Sequence, residues 1–253
     1  MTMNFRNWNS FFHWLSGTNF KPTTIVDVGV ATDTEELYYW FPDSKYIFVE
    51  PLKEFEPSLQ NLIRRYNGNY LLAAAGSHDG EIEIQVSVDL GGSSIFEHSK
   101  IDDKEIHEAL GGVPPMIKRT VPMYSLDTIW EGFEGQGPAL LKVDVQGGEL
   151  EVLKGATKCL ENFEIVILEI GLSETYKNQP VLKDYINFMD EHGFSIIDFI
   201  NAGYANNGIL VELDAVFAKK QGWLSENNKD WVDLDAVKTW NNYKGIRRND
   251  NIV

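Results

Sequence analysis

Residues 140–156 read LLKVDVQGGELEVLKGA, and the fold is decided there. Leu140, Leu141, Val143 and Val145 surround Asp144. So apolar a run is a buried strand, and its carboxylate emerges near the carboxyl end, where open α/β sheets bind ligands. Gly147 and Gly148 let the chain turn sharply without steric penalty. Glu149 then falls in the first turn of a helix, where negative charge is favoured. Leu150, Leu153 and Leu160 give that helix an apolar stripe. A strand, an acid, a glycine turn and a helix make the repeating unit of a doubly wound parallel sheet.

Outward from this unit the alternation continues. Strands are expected at residues 24–28, 46–50 and 71–75, and helices at 35–40 and 55–66. The second helix turns Leu59, Leu62, Ile63 and Tyr66 inward. Ile82, Ile84, Val86 and Val88 alternate with polar neighbours, the pattern of a half-buried strand. Residues 120–124 return to strand, and Ser125-Leu126-Asp127 caps a short helix. Residues 164–170, EIVILEI, are almost continuously apolar, as in a parallel strand covered on both faces. A helix at 181–192 ends at Gly193, and strands at 194–200 and 215–218 complete the domain. At the front, Phe5, Trp8, Phe12 and Leu15 fall at helical spacing.

Residues 89–119 are glycine- and charge-rich and broken by Pro114-Pro115, which reads as an insertion over the active face. The expected organisation is an N-terminal aromatic helix and linker at 1–22, a main domain at 23–220 and an aromatic extension at 221–253. Five of the seven tryptophans, Trp8, Trp14, Trp223, Trp231 and Trp240, lie in the two ends. Those ends are expected to pack on the domain, on each other or on a second copy of the chain, a homodimer.

With 22 Lys+Arg against 38 Asp+Glu, the 253-residue chain carries a formal charge of -16. That balance disfavours nucleic acid and anionic membrane surfaces, both of which need positive charge. Arg64–Arg65, Lys118–Arg119 and Arg247–Arg248 read as solvated surface charge rather than phosphate contacts. The single cysteine, Cys159, is expected buried on the helix after Gly148. No signal-peptide pattern or transmembrane-length apolar run is visible, so a cytoplasmic protein is expected.

The segment from Lys142 to Ala156 resembles the signature of the FkbM-type family of S-adenosylmethionine-dependent methyltransferases. Lys142, Asp144, Gly147, Glu149, Leu150, Leu153, Lys154, Gly155 and Ala156 all match it, whereas Gln146 stands where the family usually has glutamate. The resemblance extends over about residues 24–219. It implies a class I, Rossmann-like α/β fold: a doubly wound, mostly parallel seven-stranded sheet with the last strand antiparallel. It implies S-adenosyl-L-methionine as cofactor and methyl transfer to a hydroxyl of a sugar, glycan or secondary metabolite.

In such a fold the loop Asp27-Val28-Gly29 approaches the methionine part of the cofactor. Glu50 ends the second strand, where an acid binds ribose hydroxyls, and Pro51 completes the family's Glu-Pro pair. Residues 73–76 with His78-Asp79-Gly80-Glu81 resemble the loop that flanks adenine. The expected cofactor-binding residues are therefore Asp27, Gly29, Asp33, Glu50, Pro51, Ala74 and Asp144. Ala31 and Asp33 replace glycines of the family's first loop. Asp33 binds the cofactor's ammonium, narrows the pocket, or caps the next helix. A dinucleotide dehydrogenase is disfavoured because no G-x-G-x-x-G follows the first strand.

Methyl transfer from a sulfonium needs alignment and, for a hydroxyl acceptor, a place for its proton. Asp144 is the first candidate, its alternative role being to hold the Gly147–Gly148 turn. Glu169 is either a second site acid or the partner of Lys142, since an unpaired carboxylate in that strand would be costly. Glu149 is read as stabilising its helix start. His78, His98 and His107 lie in loops, and His98, after Gly91-Gly92-Ser93-Ser94, is the third catalytic candidate because it would overhang the acceptor. A divalent cation on Asp144 and Glu169 is the less favoured reading, since no third ligand stands at a convincing spacing. Ala31, Asp33 and Gln146 keep open a competing class: a catalytically degenerate scaffold with a binding or structural role.

Overall fold

A computed structural model describes residues 5–87, 90–97, 116–172 and 176–227. In chain order come α1 (Trp8–Gly17), β1 (Thr24–Val28), α2 (Glu35–Trp40), β2 (Lys45–Val49), α3 (Glu56–Arg65), β3 (Gly68–Leu71), β4 (Ala74–Gly76), β5 (Gly80–Val86) and β6 (Ile117–Ser125). Then follow α4 (Leu126–Gly132), β7 (Ala139–Val143), α5 (Glu149–Lys154), β8 (Phe163–Gly171), α6 (Leu182–Glu191), β9 (Phe194–Tyr204), β10 (Leu210–Lys219) and α7 (Trp223–Asn227).

Seven strands form one sheet in the order β3-β2-β1-β7-β8-β10-β9. The first five in that order are mutually parallel, and β10 runs antiparallel to both β8 and β9. This is the expected mostly parallel sheet with its last strand reversed. Apolar sequence explains most of the centre, and every residue of β1 and β7 is buried, Asp27 and Lys142 included. Because side chains alternate faces along a strand, two cores result. Val26, Leu141 and Val166 pack against α5 residues Val152 and Leu153. Ile25, Leu140 and Ile165 pack with Phe11, Phe12 and Leu15 of α1 and Leu37 and Tyr38 of α2.

A second sheet of three strands, in the order β4-β6-β5, stands beside the first. Here the expected strand at 71–75 is corrected. It divides into β3, which pairs with β2 in the main sheet, and β4, which pairs with Met123–Ser125 of β6. Three further expectations shift. Phe5 lies outside α1 and is 42% exposed, and Ile63 is 36% exposed although its neighbours Leu59 and Leu62 are buried. Cys159 is buried as expected, but it opens a short 3-10 turn (Cys159–Asn162) rather than lying on α5. The aromatic ends pack on the domain and on each other where they are described: α1 covers one face of the sheet, and Trp223 lies 6.4 Å from Phe20 of the N-terminal end between ring centroids. Trp231 and Trp240 lie outside the described residues. Among the described residues no helix is long and apolar enough to cross a membrane.

Candidate active site

Sheet geometry gathers the charges. Asp27 of β1 is in register with Lys142 of β7, and Asp214 of β10 with Glu169 of β8. Asp144 sits one step beyond the Val143–Leu168 pair. Alternation puts all five on the α1–α2 face, as a row near the carboxyl end of the central strands. The Lys142 ammonium lies 3.4 Å from both Asp27 and Asp144, and its side chain is 6% exposed. Burial opposes its charge, but these two carboxylates outweigh burial and raise its pKa. Lys142 therefore stays an ammonium and anchors the row.

The acids differ sharply in proton affinity. Burial also opposes ionisation of Asp144, yet Lys142 and hydrogen bonds from Glu169 and Gln146 hold its carboxyl below the usual range. Glu169 has no such cation in contact; burial first, and then the Asp144 charge, raise its pKa. Asp144 and Glu169 thus share a proton, ionised on the first and held on the second. Of the two sequence readings of Glu169, its contacts belong with Asp144, while the ion pairs of Lys142 go to Asp27 and Asp144. Asp214 is pushed up to about 7, by burial and then by Asp144.

Between the two acids stands Gln146. Its Nε2 donates to Asp144 Oδ1 at 3.1 Å and to Glu169 Oε2 at 2.6 Å. The Tyr176 hydroxyl donates to its Oε1 at 3.2 Å, and the Ser94 hydroxyl donates to its carbonyl at 2.6 Å. The turn itself is held by Glu149, which is fully buried. Its Oε1 accepts the Val145 and Gly147 N–H groups at 3.0 and 3.1 Å, and the Tyr185 hydroxyl donates to its Oε2 at 3.0 Å. So Glu149 does what was one of the two readings for Asp144, and Asp144 is left facing the cavity. Burial pushes the Glu149 carboxyl up to about 7 despite those backbone bonds.

A cavity of about 260 Å³ opens beside this row, over the ends of β1 and β2. Among its described lining residues the charged ones are Glu50 and Asp144, both acids. Leu52, Phe55, Ala74, Ile84 and Ile95 make its apolar part. Glu50 accepts the Ala31 N–H at 3.0 Å and the Leu52 N–H at 2.8 Å, and burial raises its pKa. Gly29, at φ +78°, is obligatory: a Cβ there would lie 1.7 Å from the Asp144 carbonyl oxygen. A cationic ligand with a ribose diol and a flat base fits this lining: diol oxygens on Glu50, base among the apolar side chains, positive charge towards Asp144. A pyrophosphate would meet no basic group among the described lining residues. A second cavity, of about 70 Å³, lies on the other side of Gln146 and is lined by Glu169, Tyr176, Gln179 and Glu212 among others.

Of the expected cofactor residues, Gly29, Glu50, Pro51, Ala74 and Asp144 line the larger cavity. Asp27 is fully buried, where its carboxylate accepts the Tyr38 hydroxyl at 2.5 Å and faces Lys142. Asp33 is exposed and lines no described cavity; the cap of α2 is Thr34. Ala31 lines the cavity and supplies an N–H to Glu50. His98 and His107 lie outside the described residues, and His78 is exposed beside Ser77. Only part of the expected insertion at 89–119 is described: Leu90, Gly91, Ser93, Ser94 and Ile95 wall the larger cavity, and Ile117 to Arg119 belong to β6. Sequence reasoning missed Ser94, Tyr176 and Gln179, and noticed Gln146 only as a departure. Among the described residues no group of three or more His, Cys, Asp or Glu side chains is placed to hold a metal ion.

A mostly parallel sheet with a reversed last strand, and a cavity at its carboxyl edge, define a Rossmann-like α/β protein. The family model described as "Methyltransferase FkbM domain" matches residues 23–196. The chain belongs to this methyltransferase family. It is 47% identical over 79 residues to the hexuronic acid methyltransferase AglP of Haloferax volcanii, a stretch covering 31% of each protein. The match therefore spans under a third of that relative. Similar solved structures include magnesium protoporphyrin IX methyltransferase of Synechocystis (11% identity, 84% of this chain and 77% of that one, TM-score 0.43). An rRNA methylase of Escherichia coli is also similar (10% identity, 83% and 62%, TM-score 0.38).

Proposed function

We propose that this protein is an S-adenosylmethionine-dependent O-methyltransferase whose acceptor is a hydroxyl of a sugar, glycan or secondary metabolite. One observation carries the reading: a cavity whose described charges are Glu50 and Asp144 adjoins a carboxylate pair that shares one proton. The cofactor, when bound, supplies an electrophilic methyl group on a positively charged sulfur. Glu50 holds the ribose diol, with both its oxygens fixed by backbone N–H groups. Asp144 would face the positive charge and, as the ionised member of its pair with Glu169, would take the hydroxyl proton as the acceptor oxygen bonds the methyl carbon and the sulfur–methyl bond breaks. The AglP stretch supports a sugar as acceptor, because that relative acts on a hexuronic acid.

On this reading residues 23–220 form the transferase unit, residues 89–119 bear on the acceptor, and the aromatic ends at 1–22 and 221–253 are appendages. A cytoplasmic, RNA-independent enzyme, with a homodimer as its assembly, completes the proposal. The test is calorimetric titration with S-adenosylhomocysteine, followed by transfer of labelled methyl to sugar acceptors. We expect dissociation constants on the order of micromolar, weakened about tenfold or more by Glu50→Ala. Absence of binding by the folded wild type would favour a degenerate scaffold instead.

A further inference from the structure

We propose that Gln146 is a positioning residue of the transfer step: its carboxamide bridges Asp144 and Glu169, fixing their orientation and leaving one ionised carboxylate to take the acceptor's proton. The inference rests on the O-methyltransferase reading above.

The geometry of the amide is fully determined. A carboxamide has two N–H donors and one carbonyl acceptor. Both donors are used on the two acids, at 3.1 and 2.6 Å, and the acceptor is met by Tyr176 at 3.2 Å. Turning the amide over would place its oxygen against the ionised Asp144 and turn its donors towards the Tyr176 hydroxyl. Ser94 fixes the same residue from behind through its main-chain carbonyl. The side chain also lines both cavities, so it stands where cofactor and acceptor meet.

The backbone carries an independent sign. Gln146 adopts φ +56°, and Gly147 after it φ +95°. A glycine would hold this left-handed position without strain, so a glutamine there marks a side chain with work at the site.

Charge explains why an amide serves. The groups facing the pair are Lys142 and Asp27 on β7 and β1, Asp214 on β10, Glu149 at the start of α5, and beyond them Tyr38 and Tyr185. Among the described residues four acids, Asp27, Asp144, Glu169 and Asp214, thus act on the one ammonium, and Glu149 adds to the charge on Glu169. Gln146 brings two donors to the acids and no charge. A carboxyl in its place would have to keep a proton or add repulsion.

Two measurements on the full chain test this. The first compares thermal midpoints of the wild type and Gln146→Glu from about pH 5 to 8.5. The introduced carboxyl should hold its proton in the folded chain and lose it in the unfolded one, so the gap between the two proteins should widen as pH rises. Parallel curves would overturn the proposal, whether or not methyl transfer is seen. The second follows transfer of labelled methyl from S-adenosylmethionine to a uronic acid glycoside as probe acceptor. The rising limb of the pH–rate profile should move alkaline by about one unit or more in Gln146→Glu. Gln146→Met should lower kcat about 10²-fold with cofactor KM within about threefold. An unmoved profile, or a loss confined to cofactor KM, would overturn it. A wild type that methylates no acceptor refutes the functional reading instead, and the thermal comparison still decides the bridge.

Discussion

Gly29 and Asp27, two residues apart on the same strand and loop, contribute in different ways. Gly29 permits β1 to meet the Asp144 carbonyl, and any Cβ collides with that oxygen at 1.7 Å. Gly29→Ala should therefore destabilise the chain by at least about 2 kcal/mol, read by urea denaturation. Asp27 balances a buried ammonium. Asp27→Asn leaves Lys142 short of one counter-charge, at an expected cost of about 3 kcal/mol. S-adenosylhomocysteine affinity of the Asp27→Asn protein, measured below its unfolding transition, should stay within about threefold of the wild type. A large loss of affinity without loss of stability would instead place Asp27 in contact with the cofactor.

Elements were legible wherever the local pattern settled the matter. TIVDV and EIVILEI are apolar apart from Thr24, Asp27, Glu164 and Glu169 because both faces are covered, and they form strands close to where the pattern puts them. The second sheet was not legible as a sheet. β5 and β6 alternate in the usual way, but β4 pairs with β6, some fifty residues away, and spacing carries no record of such pairing. Ile63 shows the same limit, since helical spacing names a face and not its edge. Asp127 illustrates a further miss: read as part of a cap, it also ties down the chain after α5. Its carboxylate accepts from the Thr157 hydroxyl at 2.8 Å and from the Lys158 and Cys159 N–H groups at 2.9 and 2.7 Å. Those bonds hold its pKa below the usual range although burial opposes them. Asp127→Ala should cost about 2 kcal/mol, measured by thermal or urea unfolding, and a neutral result would show that water replaces the carboxylate.

Over the whole molecule, burying acids reverses the usual dependence of stability on pH. Glu149 and Asp214 are both pushed up to about 7. Between the ordinary carboxylate range, about 4, and that value, the folded chain binds protons that the unfolded chain has released. Stability should therefore fall as pH rises through this window. Glu149→Gln keeps an acceptor for Val145 and Gly147 and offers Tyr185 a donor, so its urea midpoint should change less between about pH 5 and 8 than the wild type's. An unchanged slope would show that other groups set the dependence. The site was readable in outline at this scale: Asp144, Glu169 and Glu50 come from strand ends that the pattern located. Ser94 and Tyr176 were not readable, because they reach the site from segments whose course no periodicity describes. Gln146 left a trace only as a residue out of keeping with its surroundings.

The fastening of residues 90–97 has a kinetic corollary. The stretch that walls the larger cavity is joined to the signature turn by the Ser94 hydroxyl, which donates to the Gln146 carbonyl, and the Tyr176 hydroxyl, between Gln146 Oε1 and the Gly92 carbonyl, lies 3.3 Å from the latter. On the proposed function, a spent nucleoside that left past this stretch would have to part it from Gln146. Departure of product would then also loosen the brace on the proposed proton acceptor, so that each turnover would reset the site as it cleared the cavity. Removing the tether with Ser94→Ala should speed S-adenosylhomocysteine dissociation about fivefold in stopped-flow, roughly what one hydrogen bond is worth; an unaltered off-rate would mean that the nucleoside leaves by another side.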